Sequence, residues 1–206
     1  MGLISNGTTI FDAGSIAAGL GGSMTFIKKI TISSGVANVD FVNGSSSVVL
    51  DNTYKEYMFT LNNIHASSQG DILKINFSDD TSSHSYDLTK STTRVNVRHD
   101  EDGTDGEVTY VSGSDLANST DSQEIIVNLN ANNDSGASGF MRLFDPSNTT
   151  FVKHFLVQMN SDGESDRCFS TYVSGYCNTT AAVTAVRFTL GGSNIDAGDI
   201  CLYGIS

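Results

Sequence analysis

Along most of this chain apolar and polar residues alternate in short runs, separated by clusters of glycine, serine, asparagine and aspartate. Residues 36–42 place Val39 and Phe41 on one side, and 54–64 place Tyr57, Phe59 and Leu61 together. Residues 72–77 put Leu73, Ile75 and Phe77 on one face and Lys74 and Asn76 on the other. A period of two with a single apolar side is the signature of a half-buried antiparallel strand. Runs of the same character recur at 24–32, 94–98, 107–111, 123–129, 140–144, 151–159, 168–173, 183–190 and 200–205. Asp145-Pro146-Ser147-Asn148 suits a type I turn with proline in second place, and Gly191-Gly192-Ser193-Asn194 marks another turn. No long segment holds a helical period between caps, and only a short helix near 114–118 is expected. About a dozen short strands with turns between them predict an all-β fold, an antiparallel two-sheet sandwich of jelly-roll type. Residues 24–206 form one domain in this reading, without an internal repeat or a linker.

The first 23 residues break the pattern. They carry six glycines and one charged side chain, Asp12. Their apolar residues, Leu3, Ile4, Ile10, Phe11, Ile16 and Leu20, hold neither period for long. Such a segment cannot build a core of its own. It is expected to be an extended N-terminal attachment arm, with those six side chains gripping a partner polypeptide.

Composition narrows the functional classes. At 206 residues the chain can bury a substantial core, and only 17% of it is charged, so hydroxyls and amides must form much of the solvent face. Eleven basic against 23 acidic residues leave a net charge of −12. That field repels nucleic acid and anionic membranes, and no basic stripe interrupts it. No run approaches the ~20 apolar residues of a membrane span, and the N-terminus lacks the n-region and apolar core of a signal peptide. The start MGLISN has Asn6 where myristoylation requires serine or threonine. Cys168, Cys177 and Cys201 form no CxxC pair, and buried free thiols are the expected state.

Candidate chemistry is sparse. The four histidines (His65, His84, His99, His154) are scattered, and neither a GxSxG elbow nor an HExxH helix occurs. Tryptophan is absent, and the tyrosines fall mostly at strand positions, which gives no aromatic cleft between paired carboxylates. The chain is therefore read as non-enzymatic. The acidic loop 99–107 is the one cation candidate, with Asp100, Asp102 and Asp105 as oxygen ligands for Ca²⁺. Its spacing is not that of an EF-hand, and a solvated hairpin loop is the preferred reading, with no required cofactor.

The segments LISNGTTIFDAGSI, MTFIKKITISS, TYKEYMFTLNNIHA, FDPSNTTFVKHF and SGYCNTTAAVTAVRFTLGGSNIDAGDICLYGI together span most of the chain. In them it resembles small virion structural proteins of tailed phages, especially those of marine cyanobacteria. The sharpest matches are the strand from Tyr54 to Phe59, the Asn63 to His65 turn and the closing strand at Leu202 and Tyr203. The resemblance implies a tail-fibre-like or capsid-decorating component located in the virion and assembled in the host cytoplasm. It implies other virion proteins as partners and a homotrimeric β-sandwich module, and it brings no catalytic residues. The alternative expectation is a receptor-recognition module that binds host-surface glycan, with Ca²⁺ in the acidic loop.

Overall fold

The alternation is clearest in the strand at the middle of the architecture. From Lys153 to Gly163 every second residue is buried and every intervening one exposed, without exception over eleven positions. A computed structural model describes residues 3–6, 8–12, 15–16 and 23–206. Strands dominate the described residues, which contain no α-helix.

The body holds twelve strands: β4 (Met24–Ile32), β5 (Asn38–Val42), β6 (Glu56–Ala66), β7 (Asp71–Ser78), β8 (Lys90–Asp100), β9 (Gly106–Tyr110), β10 (Gln123–Leu129), β11 (Ala137–Phe144), β12 (Lys153–Gly163), β13 (Arg167–Cys177), β14 (Ala185–Leu190) and β15 (Ile195–Ile205). All pairings are antiparallel, and together they form one sheet that nearly closes into a barrel-like shape. Eight strands follow the order β4-β15-β6-β11-β12-β13-β8-β9, and four follow β10-β7-β14-β5. The two runs join where Leu129 of β10 meets Gly163 of β12, and the bridge Val36–Ile195 ties them again.

The core lies between these runs. Phe77 of β7 packs on Phe155 of β12 with ring centroids 5.0 Å apart, and Phe59 of β6 meets Phe41 of β5 and Phe188 of β14 at 5.2 and 5.6 Å. Each of these five rings is fully buried. Edge-to-face and tilted packing at such distances adds to the burial of aromatic area.

The strands expected from the alternation are present, with shifted ends. Residues 90–93 extend β8 upstream, although Lys90, Ser91, Thr92 and Thr93 show no apolar alternation. The start of β15 is masked in the sequence by irregular pairing at 195–199, where Gly198 has a φ of +124°. The expected helix near 114–118 is a single 3-10 turn, Ser112–Ser114. The proline turn forms, and Asn148 N–H donates to the Asp145 carbonyl at 3.0 Å.

Part of the segment expected to be an extended arm is described. Residues of the first segment form three short antiparallel strands, β1 (Leu3–Ser5), β2 (Thr8–Asp12) and β3 (Ser15–Ile16), in a separate small sheet. Ser5 pairs with Thr8 around Asn6, whose φ of 48° is left-handed. The Asn6-Gly7 pair is a short-hairpin signal that the mixed apolar spacing hides. Among the described residues, none of these strands pairs with the body.

Candidate functional site

Partners across an antiparallel ladder share a face, so the pairing register shows what the long run of strands presents outward. One row runs Tyr110–Val95–Tyr172–Gln158–Phe140–Thr60, crossing from β9 to β6. The next runs Ser174–Leu156–Arg142–Met58–Tyr203–Phe26, from β13 to β4. Tyr110, Tyr172, Leu156 and Phe26 are exposed at 61%, 44%, 42% and 57%, and Val108 beside Val97 at 73%. A face of this breadth, carrying rings and aliphatic side chains, exceeds the scattered apolar residues of an ordinary surface.

The two larger concavities on this face lie at opposite ends of β12, with a smaller one of about 250 Å³ over Phe140, Arg142, Gln158 and Tyr172. Near the start of β12 an apolar groove of about 530 Å³ is bordered by Phe144, His154, Leu156 and Tyr176. Near its end a polar cleft of about 660 Å³ is lined by Asn63, His65, Asp134, Asn160, Asp162 and Asp196. Asn160 and Asp162 are the next two outward positions of β12 after Leu156 and Gln158, so one strand connects groove to cleft.

His65 anchors the cleft. Its Nδ1 lies 2.6 Å from Asp196 Oδ1 and its Nε2 3.0 Å from the Asn132 carbonyl, two acceptors that only the doubly protonated ring satisfies. Burial works against the charge, but the hydrogen bonds to Asp196 and Asn132 outweigh it and raise the pKa above its ordinary 6.5. A raised folded-state pKa contributes stability that is complete below the unfolded value and disappears as pH rises through the folded one. The melting temperature of wild type should exceed that of His65→Gln at about pH 6, and the gap should shrink towards about pH 8. A gap that stays constant across that range would remove the imidazolium from the account.

The acidic loop is organised around arginine. Arg98 Nη2 lies 2.7 Å from Asp105 and 3.2 Å from Glu107, and its Nη1 is 3.4 Å from Asp100. Arg167 Nε is 2.8 Å from Asp100 Oδ1, but its N–H points off the oxygen, so that contact is coulombic. Asp102 closes its own turn, accepting from Thr104 N–H and hydroxyl at 2.9 and 2.6 Å. Arg98 holds Asp105 below its usual carboxylate range, and the Thr104 hydroxyl does the same for Asp102. Asp100 and Asp105 are thus turned to Arg98, and Asp102 to its own turn. Among the described residues, no group of three or more His, Cys, Asp or Glu is arranged to hold a metal ion.

Of the six candidate arm residues, Leu3 and Ile4 lie on β1, Ile10 and Phe11 on β2 and Ile16 on β3, while Leu20 lies outside the described residues. Ile4 is 60% exposed. The three thiols are free; Cys177 and Cys201 are buried, whereas Cys168 is exposed, contrary to expectation, because it occupies an outward position of β13. The outer face and the buried Lys90, Arg94 and Lys153 were not singled out by sequence, and His65 was read only as a scattered histidine and as part of the Asn63 to His65 turn. The outward residues read individually as ordinary alternation, and a lysine or arginine in a strand reads as solvent-facing.

Comparison with models of known families, with curated proteins and with solved structures finds no match to this chain. No helix among the described residues is long and apolar enough to cross a membrane.

Proposed function

We propose that this chain is a non-enzymatic structural component of a tailed-phage virion, attached to capsid or tail through residues 1–23 and displaying its β-body. In this reading the body is a jelly-roll-like sandwich, β10-β7-β14-β5 facing the longer run, and it assembles as a homotrimer in the particle. The observation that carries the proposal is the outer sheet face, whose exposed rings and aliphatic side chains suit burial against neighbouring subunits. Ile4, exposed on β1, supports the leading segment as a second contact. Many copies on one particle need little affinity each, because attachment raises the effective concentration of every further contact. Deleting residues 2–23 should abolish incorporation into particles while the body keeps its melting temperature. Normal incorporation of the truncated chain would overturn the attachment role.

A second reading, recognition of host-surface glycan, is favoured by the polar cleft and the tyrosines on the same face. Amides and carboxylates beside exposed rings supply both hydrogen bonds and a stacking surface for a sugar. A glycan array probed in calcium and in chelator tests it, and silence in both conditions removes it.

A further inference from the structure

Lys90 and Asn76 are the most anomalous pair in the molecule. Lys90, at the start of β8, is fully buried, and Asn76 of β7 is 4% exposed. Lys90 Nζ sits 2.6 Å from Asn76 Oδ1 and 2.5 Å from the Leu88 carbonyl. A third, long contact of 3.5 Å reaches the Thr120 carbonyl. Lys90 takes part in none of the ion pairs among the described residues. Its ladder partner Cys177 offers no counter-charge either, since burial pushes that thiol up to about 12. Asp121 and Asp87 act on it only through space, and a buried lysine with no carboxylate in contact is rare and costly as a cation.

We propose that Lys90 and Asn76 join in an intramolecular isopeptide bond, Nζ to Cγ, with release of ammonia. Burial brings the Lys90 amine down to about 8, so a free-base fraction with a lone pair exists near neutral pH. That lone pair attacks Asn76 Cγ, and the carbonyl electrons move onto Oδ1. The Phe77 N–H, 2.9 Å from Oδ1, is placed to stabilise the oxyanion. Nζ gives up a proton as the C–N bond forms, and the departing nitrogen, which donates to Ser122 Oγ at 3.3 Å and to the Thr120 carbonyl at 3.1 Å, takes one up. The oxyanion then collapses, the Cγ–Nδ2 bond breaks and ammonia leaves. One amide and one amine become one secondary amide and ammonia, and no oxidant or reductant is needed. The fold supplies the rate by holding the two groups in contact. Product formation also removes a charge from the core, and the remaining Nζ–H can keep its bond to Leu88. Lys153 is the internal control. It is equally buried, but its Nζ meets only the Phe151 and Thr179 carbonyls, at 2.6 and 3.4 Å, and no side-chain amide.

The test is the intact mass of the full-length protein under denaturing conditions, followed by tandem mass spectrometry of its peptides. Wild type should be lighter than its sequence mass by one ammonia, with the Asn76 and Lys90 peptides recovered as one branched species. Lys90→Met and Asn76→Ala should restore the full mass, and Lys153→Met should keep the deficit. Wild type at full mass overturns the proposal. So does a deficit that survives Lys90→Met, which would place the ammonia loss elsewhere, as at Asn43-Gly44. If the variants fail to fold, the presence or absence of the branched peptide in wild type decides alone.

Discussion

Phe59→Ala is expected to lower the free energy of unfolding by about 3–5 kcal/mol, at the upper end for a core truncation. Phe59 has no exposed surface and stands where Phe41 and Phe188 come across from the shorter run of strands. Its strand is laddered on both sides, to β15 and to β11, so the backbone cannot settle into the space left by the ring. The cost is therefore lost transfer energy plus a cavity that stays open. Urea denaturation checks it: the midpoint should fall with the slope unchanged. A loss below about 1 kcal/mol would mean that the two runs do not close over this ring.

Glu124→Ala should be nearly as damaging for a different reason, at about 3 kcal/mol. Arg94 is 1% exposed on the inner face of β8. Its Nη1 donates to Glu124 Oε2 at 2.6 Å and to Ser114 Oγ at 3.1 Å, and its Nε to Asn96 Oδ1 at 3.1 Å. Burial lowers the Arg94 pKa while the Glu124 carboxylate raises it, and removing that carboxylate leaves a guanidinium stranded in the interior. Glu124 is about a quarter open to water, which places the expectation at the lower end of the range for broken buried pairs. Replacing both partners, Arg94→Met with Glu124→Leu, should recover much of the loss, because the apolar pair needs no desolvation. Chemical denaturation of the two variants side by side measures the difference. Equal stability of the single and double variants would show that Arg94 is satisfied without its partner.

Legibility followed burial on one face. Val39, Phe41, Tyr57, Phe59, Leu61, Leu73, Ile75 and Phe77 were readable because apolar residues at every second position turn inward together, and every one of them is in the core. The ends of β8 and β15 were not, since Lys90 to Thr93 carry no apolar rhythm and an irregular ladder shifts the phase at Gly198. The acidic loop was read as a hairpin loop with a cation candidate, but its ion pairs were not legible, since Arg98 faces Asp100 and Asp105 and Arg167 reaches Asp100 from the adjacent strand.

The alternation of side chains therefore determined by itself that this is an antiparallel all-β protein, where the strands of its body lie and which of their apolar residues turn inward. Those properties are local, set by a period of two and by turn residues. Tertiary structure decided what depends on residues distant in sequence. It aligned Tyr110, Tyr172 and Phe140 into one outward row, closed His65 onto Asp196, and set Lys90 against Asn76 with no carboxylate in contact. Pairing register and strand order determine such neighbours, and no single strand carries that information.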